Sequence, residues 1–395
     1  MTNHSLPPEI LDCVIDLLHN ESDALKQCCL VSKSWVPRAR NYLFADIKLQ
    51  SAGELGSWKK TFQDIENSPA HHARALFVGC AHLVTASDGG WLRAFSGIKS
   101  LGLDGHIERL RDLRDSEISL APFRKLSPTL KSLRMRSALL PFRGLSDFIC
   151  SFPLLEDLAL AGYQYMQLNI NPPDPPQSDN PSPSPPLTGS LDFHLLWGAG
   201  DVAQQLMDLP NGIHFQNIVA LRDVEGDFRW MTQLVERCSH TLKSLKVDYT
   251  SYCVFIHIRV RINNLTLFQG GRGPSSFDLS TATNLRDLVF QPESQCAWVT
   301  VALQTITPKH RDLRRISIHV HHSLTDYGAS VMDDLGEATF RKWLDLDRLL
   351  VQLWESRSIR PKVGCVRPAQ VHQNTEYCIA ALFPEITKRG IVDPL

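Results

Sequence analysis

The sequence predicts an α/β chain in which a small N-terminal helical module precedes a long, irregular solenoid of repeated strand-and-helix units. Three observations carry this expectation. The chain has 395 residues, more than the roughly 250–300 that one hydrophobic core serves. An apolar template recurs along its middle at solenoid spacing. Its first 46 residues follow a helical rhythm instead.

In that opening stretch, Pro7 and Pro8 lead into Glu9-Ile-Leu-Asp-Cys-Val-Ile-Asp-Leu-Leu18. Pro suits the first helical position, and Glu9 and Asp12 suit a helix N-terminus. At 100° per residue, Ile10, Leu11, Cys13, Val14, Ile15, Leu17 and Leu18 cover an arc of about 200°. Glu9, Asp12 and Asp16 share the remaining strip. A helix packed on one side needs only about 100° of apolar surface, so this one is expected to be covered from two directions. Asp23 is placed to cap a second helix carrying Leu25, Cys28, Cys29 and Leu30. Ser32 or Ser34 is placed to cap a third, with Trp35, Ala39, Tyr42 and Leu43 inward and Pro37 in its first turn. A piece of about 45 residues this apolar needs a neighbour or a partner. Residues 47–70 read as a helical linker.

From residue 71 to 339 the pattern apolar-x-x-apolar-x-apolar repeats. It appears as Ile98-Lys-Ser-Leu101-Gly-Leu103, Leu130-Lys-Ser-Leu133-Arg-Met135, Leu155-Glu-Asp-Leu158-Ala-Leu160 and Leu242-Lys-Ser-Leu245-Lys-Val247. Further copies are Ile262-Asn-Asn-Leu265-Thr-Leu267, Leu285-Arg-Asp-Leu288-Val-Phe290 and Leu313-Arg-Arg-Ile316-Ser-Ile318, with Ala73-Arg-Ala-Leu76-Phe-Val78 a weaker first one. The spacing lies in or near the 20–29-residue period of leucine-rich repeats, which predicts an irregular horseshoe. The Asn of that consensus is missing, so the turns should be irregular. Segments 144–149 and 228–235 can supply the helical side of two repeats. Intervening strand residues line the concave face of such a solenoid, which places Asp104, Arg134, Arg136, Lys246, Asp248, Arg315 and His319 there. Arg109 to Arg143 holds nine basic against three acidic residues, which suits an anionic partner, a phosphorylated segment among them.

Residues 171–187 interrupt the repeats with a Pro/Ser-rich insertion, expected to be extended or disordered, that holds eight of the 24 prolines. After it the repeats resume, and residues 340–395 form a C-terminal cap. The cap is expected to contain an amphipathic helix, Phe340 to Trp354, followed by a strand and helix over 362–388.

Composition narrows the function. Forty-one Lys and Arg against 42 Asp and Glu leave a net charge of −1, which argues against a nucleic-acid partner. No run approaches the ~18 apolar residues of a membrane span, and the N-terminus shows no secretory pattern. Ten scattered cysteines without a C-x-x-C pair read as reduced thiols in the cytoplasm or nucleus. No hydrolase, zinc-protease or nucleotide-loop motif is present, so no catalytic residue, metal or cofactor is expected. His71/His72 and His319/His321/His322 cluster without an identifiable third ligand.

The N-terminal segment resembles an F-box. Leu6-Pro7-Pro8-Glu9-Ile10-Leu11, Val14-Ile15, Cys29-Leu30-Val31-Ser32-Lys33-Ser34-Trp35 and Tyr42-Leu43-Phe44 carry the resemblance, which is confined to the stretch from Leu6 to Phe44. The remainder is similar in pattern to the divergent leucine-rich-repeat regions of F-box proteins from mushroom-forming fungi. The resemblance implies a three-helix module that docks on the Skp adaptor of a Skp–cullin–F-box (cullin–RING) ubiquitin ligase, with the repeats holding an unidentified protein target. It implies that Leu6, Pro7, Ile10, Leu11 and Ile15 contact the adaptor, with Leu30, Val31 and Trp35 completing the surface. The rival expectations are a repeat scaffold with no role in ubiquitin transfer, and an enzyme that uses the His clusters.

Overall fold

The computed structural model describes residues 7–64, 66, 68–79, 81, 84, 89–105, 122–126, 128–137, 145–162, 186–195, 199–210, 212–221, 229–248, 277–292, 296–320, 335–365 and 374–390. The chain is mixed α/β and divides into two compact units, Met1–Pro185 and Pro186–Leu395.

The first unit begins with three short helices, α1 (Pro8–Leu17), α2 (Ser22–Val31) and α3 (Val36–Leu43). Pro8 sits at the first position of α1, where its missing N–H costs nothing, and Glu9 lies in the first turn. The expected caps of the next two helices are not used. Glu21 occupies the N-cap of α2, while Asp23 lies in its first turn and pairs with Lys26 at 2.8 Å. Trp35 is the N-cap of α3, and the Ser32 hydroxyl instead accepts from the Ser34 amide at 3.3 Å. Ile15, Leu25, Cys28 and Ala39 form the module's buried core, with Leu18, Cys29, Trp35, Tyr42 and Leu43 packed around it.

A parallel ladder follows. Its strands are β1 (Asp46–Leu49), β2 (Ala75–Val78), β3 (Ser100–Gly105), β4 (Ser132–Ser137) and β5 (Asp157–Gly162). Between them run α4 (Ala52–Thr61), α5 (Gly89–Leu92) and α6 (Leu145–Cys150). The stretch expected to be a helical linker, 47–70, therefore carries most of the first strand as well as α4. Ser51 and Glu54 close a capping box at the start of α4. Each repeat copy aligns with the next: Ile47, Leu76, Leu101, Leu133 and Leu158 occupy one register row, and Leu49, Val78, Leu103, Met135 and Leu160 another. All ten are buried, each contributing about 1.5–3 kcal/mol.

Backbone bonds tie most rungs to their predecessors by one rule. The carbonyl just before a strand accepts the two amides that open the next rung. Ala45 accepts from Arg74 and Ala75 at 2.7 and 2.9 Å, Arg74 from Lys99 and Ser100 at 2.7 and 3.0 Å, and Lys99 from Lys131 and Ser132 at 2.8 and 2.9 Å. A threonine adds a side-chain tie. The Thr129 hydroxyl donates to the Ile98 carbonyl at 2.9 Å, and in the second unit Thr241 donates to Phe215 at 3.1 Å. Both threonines open the same five residues, Thr-Leu-Lys-Ser-Leu. They satisfy carbonyls between repeats that lack the consensus Asn.

The second unit builds its own parallel ladder. In chain order it holds β6 (Ser190–Leu195), α7 (Ala199–Met207), β7 (Asn217–Leu221), α8 (Arg229–Arg237), β8 (Ser244–Asp248), β9 (Asp287–Gln291), α9 (Ala297–Gln304) and β10 (Arg315–Val320). Then come α10 (Glu337–Arg357), β11 (Arg360–Cys365), α11 (Asn374–Leu382) and α12 (Pro384–Lys388). Strands β6 and β7 are rungs the apolar template does not reveal. Leu191 and Phe193 of β6 follow Thr188 where the template wants an apolar residue, and β7 ends its template on Ala220. The copy at 262–267 lies outside the described residues, and β8 pairs directly with β9. Residues 171–185 of the Pro/Ser-rich insertion also lie outside. Leu187, expected to be part of it, is buried and bridges to Ile213.

Strand β11 suits the end of a ladder. Pro361, paired with Ile316, cannot donate to a further strand, and Lys362 follows it. Helices α10 and α12 are locked together by Asp347. It is buried and accepts from the Glu385 and Ile386 amides at 2.8 and 3.1 Å, so it caps α12 from another helix. Burial pushes its carboxyl upward against the pull of those two amides.

Replacing Thr129 by Val keeps the side chain's size and removes the 2.9 Å bond to Ile98. Urea unfolding of the variant should show a loss of about 0.5–1.5 kcal/mol. An unchanged midpoint would mean that the tie contributes nothing.

Candidate functional site

The apolar arc of α1 splits in two. Ile15 lies in the module's own core, Leu18 packs against it, and Leu11 is half-buried. Ile10, Val14 and Leu17 lie within about 60° of one another on the other half, where they are 49, 42 and 80% exposed. The last turn of α2 exposes Leu30 and Val31 by 79 and 68%. These five make up most of the exposed large apolar side chains among the described residues; Leu154 and Tyr377 are the others. Single exposed apolar residues are ordinary, whereas a stripe at i, i+4 and i+7 on one helix is a docking signature.

The expected adaptor contacts divide accordingly. Pro7, Ile10, Leu30 and Val31 are exposed, and Leu11 is half-buried. Ile15 is 1% exposed and belongs to the module's core, so it is corrected from a surface contact to a packing residue. Trp35 is half-buried against that same core. Leu6 lies outside the described residues. Val14 and Leu17 are not among the expected contacts, although the wide apolar arc of the sequence already contains them.

A charged clamp holds α1 at the angle that produces this stripe. Asp16, on the polar strip, accepts from Arg38 Nε at 2.7 Å and Arg38 Nη2 at 2.6 Å, while the Tyr42 hydroxyl donates to it at 2.8 Å. Both partners lie on α3. The Arg38 fork, then the Tyr42 hydroxyl, hold the Asp16 carboxyl down to about 2. Arg38 is raised in turn by Asp16.

The second candidate surface is the strand face opposite the buried rows. In the first unit, Asp104 of β3 pairs in register with Arg136 of β4, and Arg134 stands two residues before it. These three are neighbours. The remaining four belong to the second unit. Lys246 is half-buried, flanked in register by Val219 and Val289. Arg315 Nε lies 3.9 Å from Asp287 Oδ1, and His319 is half-buried on the same strand. The side chain of Asp248 lies outside the described residues. Three of the seven thus belong to the first unit and four to the second.

Among the described residues no group of three or more His, Cys, Asp or Glu could hold a metal ion. His321 and His322 lie outside them. His72 is pulled below its usual value by burial, with Arg40 and His71 adding to the shift. Burial pushes the Cys238 thiol up to about 11 and Cys296 higher still, so neither offers a thiolate at neutral pH. No helix among the described residues is long and apolar enough to cross a membrane. Searches against protein-family models and against curated proteins returned no match.

Asp16 gives a pH test. A carboxyl held below its unfolded value of 3.8 stabilises the fold above that pH, and the contribution disappears as pH falls toward about 2. Asp16→Asn should lower thermal stability at neutral pH, and the gap between variant and wild type should close between about pH 4 and pH 2. A gap that persists unchanged at pH 2 would show that the carboxylate charge is not what clamps α1.

Proposed function

We propose that this chain is the substrate-receptor subunit of a Skp–cullin–F-box ubiquitin ligase. Its N-terminal helices dock on the Skp adaptor, and its parallel ladders form a leucine-rich-repeat solenoid that holds a protein target. The observation that carries the reading is the exposed stripe of Ile10, Val14 and Leu17 on a helix whose other apolar half is already packed. The F-box-like run of residues coincides with that stripe and with exposed Leu30 and Val31. Further support comes from the register, in which successive copies of the apolar template stand side by side as rungs.

In this role the chain contributes proximity rather than chemistry. The adaptor end joins it to the cullin and its ubiquitin carrier, while the repeat end holds the target. Tethering turns the meeting of a target lysine with the ubiquitin thioester into an effectively intramolecular event. A stiff link between the helical module and the repeats serves that purpose. Ala45, at the end of the helical module, accepts the amides that open β2, so the module is bonded directly into the first ladder. The partners are proteins, and the setting is the cytoplasm or nucleus.

Co-expression of the full chain with the Skp adaptor, followed by size-exclusion chromatography, tests the reading. A one-to-one complex is expected. Burying one exposed aliphatic side chain contributes about 1.5–3 kcal/mol, so the Ile10→Ala/Leu17→Ala double variant should bind at least 100-fold more weakly while unfolding at the wild-type temperature. Ile15→Ala should do the reverse, lowering the unfolding temperature first. A folded wild-type protein that ignores the adaptor would sink the ligase reading and leave a repeat scaffold.

A further inference from the structure

On β4, Leu133 and Met135 are buried and Arg134 and Arg136 are exposed on the opposite face. Residues two apart on a strand are about 7 Å apart and point the same way, so the two guanidinium groups stand in a short file along the strand. Their two flanks differ. Arg134 lies in register between Gly102 of β3 and Ala159 of β5, and Arg136 between Asp104 and Ala161. Gly102 is buried beneath Phe77, and a β carbon there would come within 2.7 Å of the Phe77 Cδ2. On the β5 side nothing taller than a methyl group rises beside either arginine, while Asp104 occupies the β3 side of Arg136.

Neither arginine makes a hydrogen bond or ion pair among the described residues. The contrast with other cations is direct. Lys131, just before the same strand, pairs with Glu156 at 2.7 Å, Arg38 is clamped on Asp16 and Arg315 faces Asp287. Two like charges about 7 Å apart repel each other, and the one carboxylate in register with them, Asp104, stands beside Arg136 alone. Oxyanions placed over them relieve that repulsion and fill both forks, the geometry that favours Arg for carboxylate and phosphate.

We propose that this floor binds an extended acidic segment of a protein partner, with oxyanion side chains at alternate positions seated on Arg134 and Arg136. An extended chain presents every second side chain on one face at the same spacing of about 7 Å as the arginines, so i and i+2 acids match the file and adjacent acids do not. The low β5 flank and the acidic β3 flank place the segment over β5. Carboxylates and phosphorylated hydroxyls share this chemistry. The inference rests on the reading of the strand face as the target-docking face, but it does not require the adaptor.

Fluorescence anisotropy with the full-length protein tests it, using a short labelled peptide with Glu at alternate positions, its scramble with the two Glu adjacent, and a third with phosphoserine at alternate positions. One or both alternating peptides should bind at least tenfold more tightly than the scramble, and the tighter of them identifies the source of the oxyanion. Arg134→Ala/Arg136→Ala should weaken that binding at least tenfold, while Arg286→Ala, an exposed arginine of the second unit, should leave it unchanged. Circular dichroism and adaptor binding report separately on the fold and on the receptor reading. Equal binding by wild type and the double variant, equal binding of alternating and adjacent peptides, or no binding of either alternating peptide at millimolar concentration would overturn the proposal.

Discussion

A three-helix module of about 45 residues has too little interior to enclose a helix that is apolar around more than half of its circumference. That constraint shapes the N-terminal end of the molecule. The core formed by Ile15, Leu25, Cys28 and Ala39 consumes one half of the apolar surface of α1. The other half, with Ile10, Val14 and Leu17, is left facing solvent. Which half is buried is decided by polar chemistry. Asp16 on α1 is gripped by Arg38 and Tyr42 on α3, and rotation of α1 to hide the stripe would pull this carboxylate away from its donors. The exposed half of α1 is thus set by a charge cluster that lies off the stripe itself.

The ladders extend the same economy of means. A single carbonyl before most strands accepts two amides of the next rung, and the rule begins at Ala45, the residue that joins the helical module to the sheet. The position before a strand is often basic (Arg74, Lys99, Lys131, Lys243, Arg286, Arg314), which keeps the rim polar where backbone groups converge. Buried rows of Leu, Ile, Val and Phe supply the energy, and threonines at 129 and 241 supply directional ties between rungs. The C-terminal end is closed by two devices: Pro361 and Lys362 on the last strand, and the Asp347 cap that fastens α12 to α10.

Much of this was legible in the sequence, unevenly and for physical reasons. The wide apolar arc of α1 was plain, because helical periodicity is a local property. Its division into a buried and an exposed half was not, since that depends on Arg38 and Tyr42, which belong to a different helix. Ile15 was therefore misplaced and Val14 and Leu17 overlooked. Rungs with full templates, such as Leu130 to Met135, could be read directly. Strands β6 and β7 escaped because Thr188 and Ala220 fill template positions that packing tolerates and a pattern does not. The alternation of Asp46-Ile47-Lys48-Leu49 is a strand signal only four residues long, easily lost beside a helix. The bare floor around Arg134 and Arg136 depends on register with β3 and β5, which no single copy of the repeat contains.

Calorimetric titration of the full-length protein with the purified Skp adaptor tests the central claim most directly, because burial of an apolar stripe has a thermodynamic signature. The account predicts one-to-one binding with a negative heat-capacity change that shrinks when Ile10 and Leu17 are truncated. Absence of binding by a demonstrably folded protein, or binding whose heat-capacity change is indifferent to those two side chains, would contradict it.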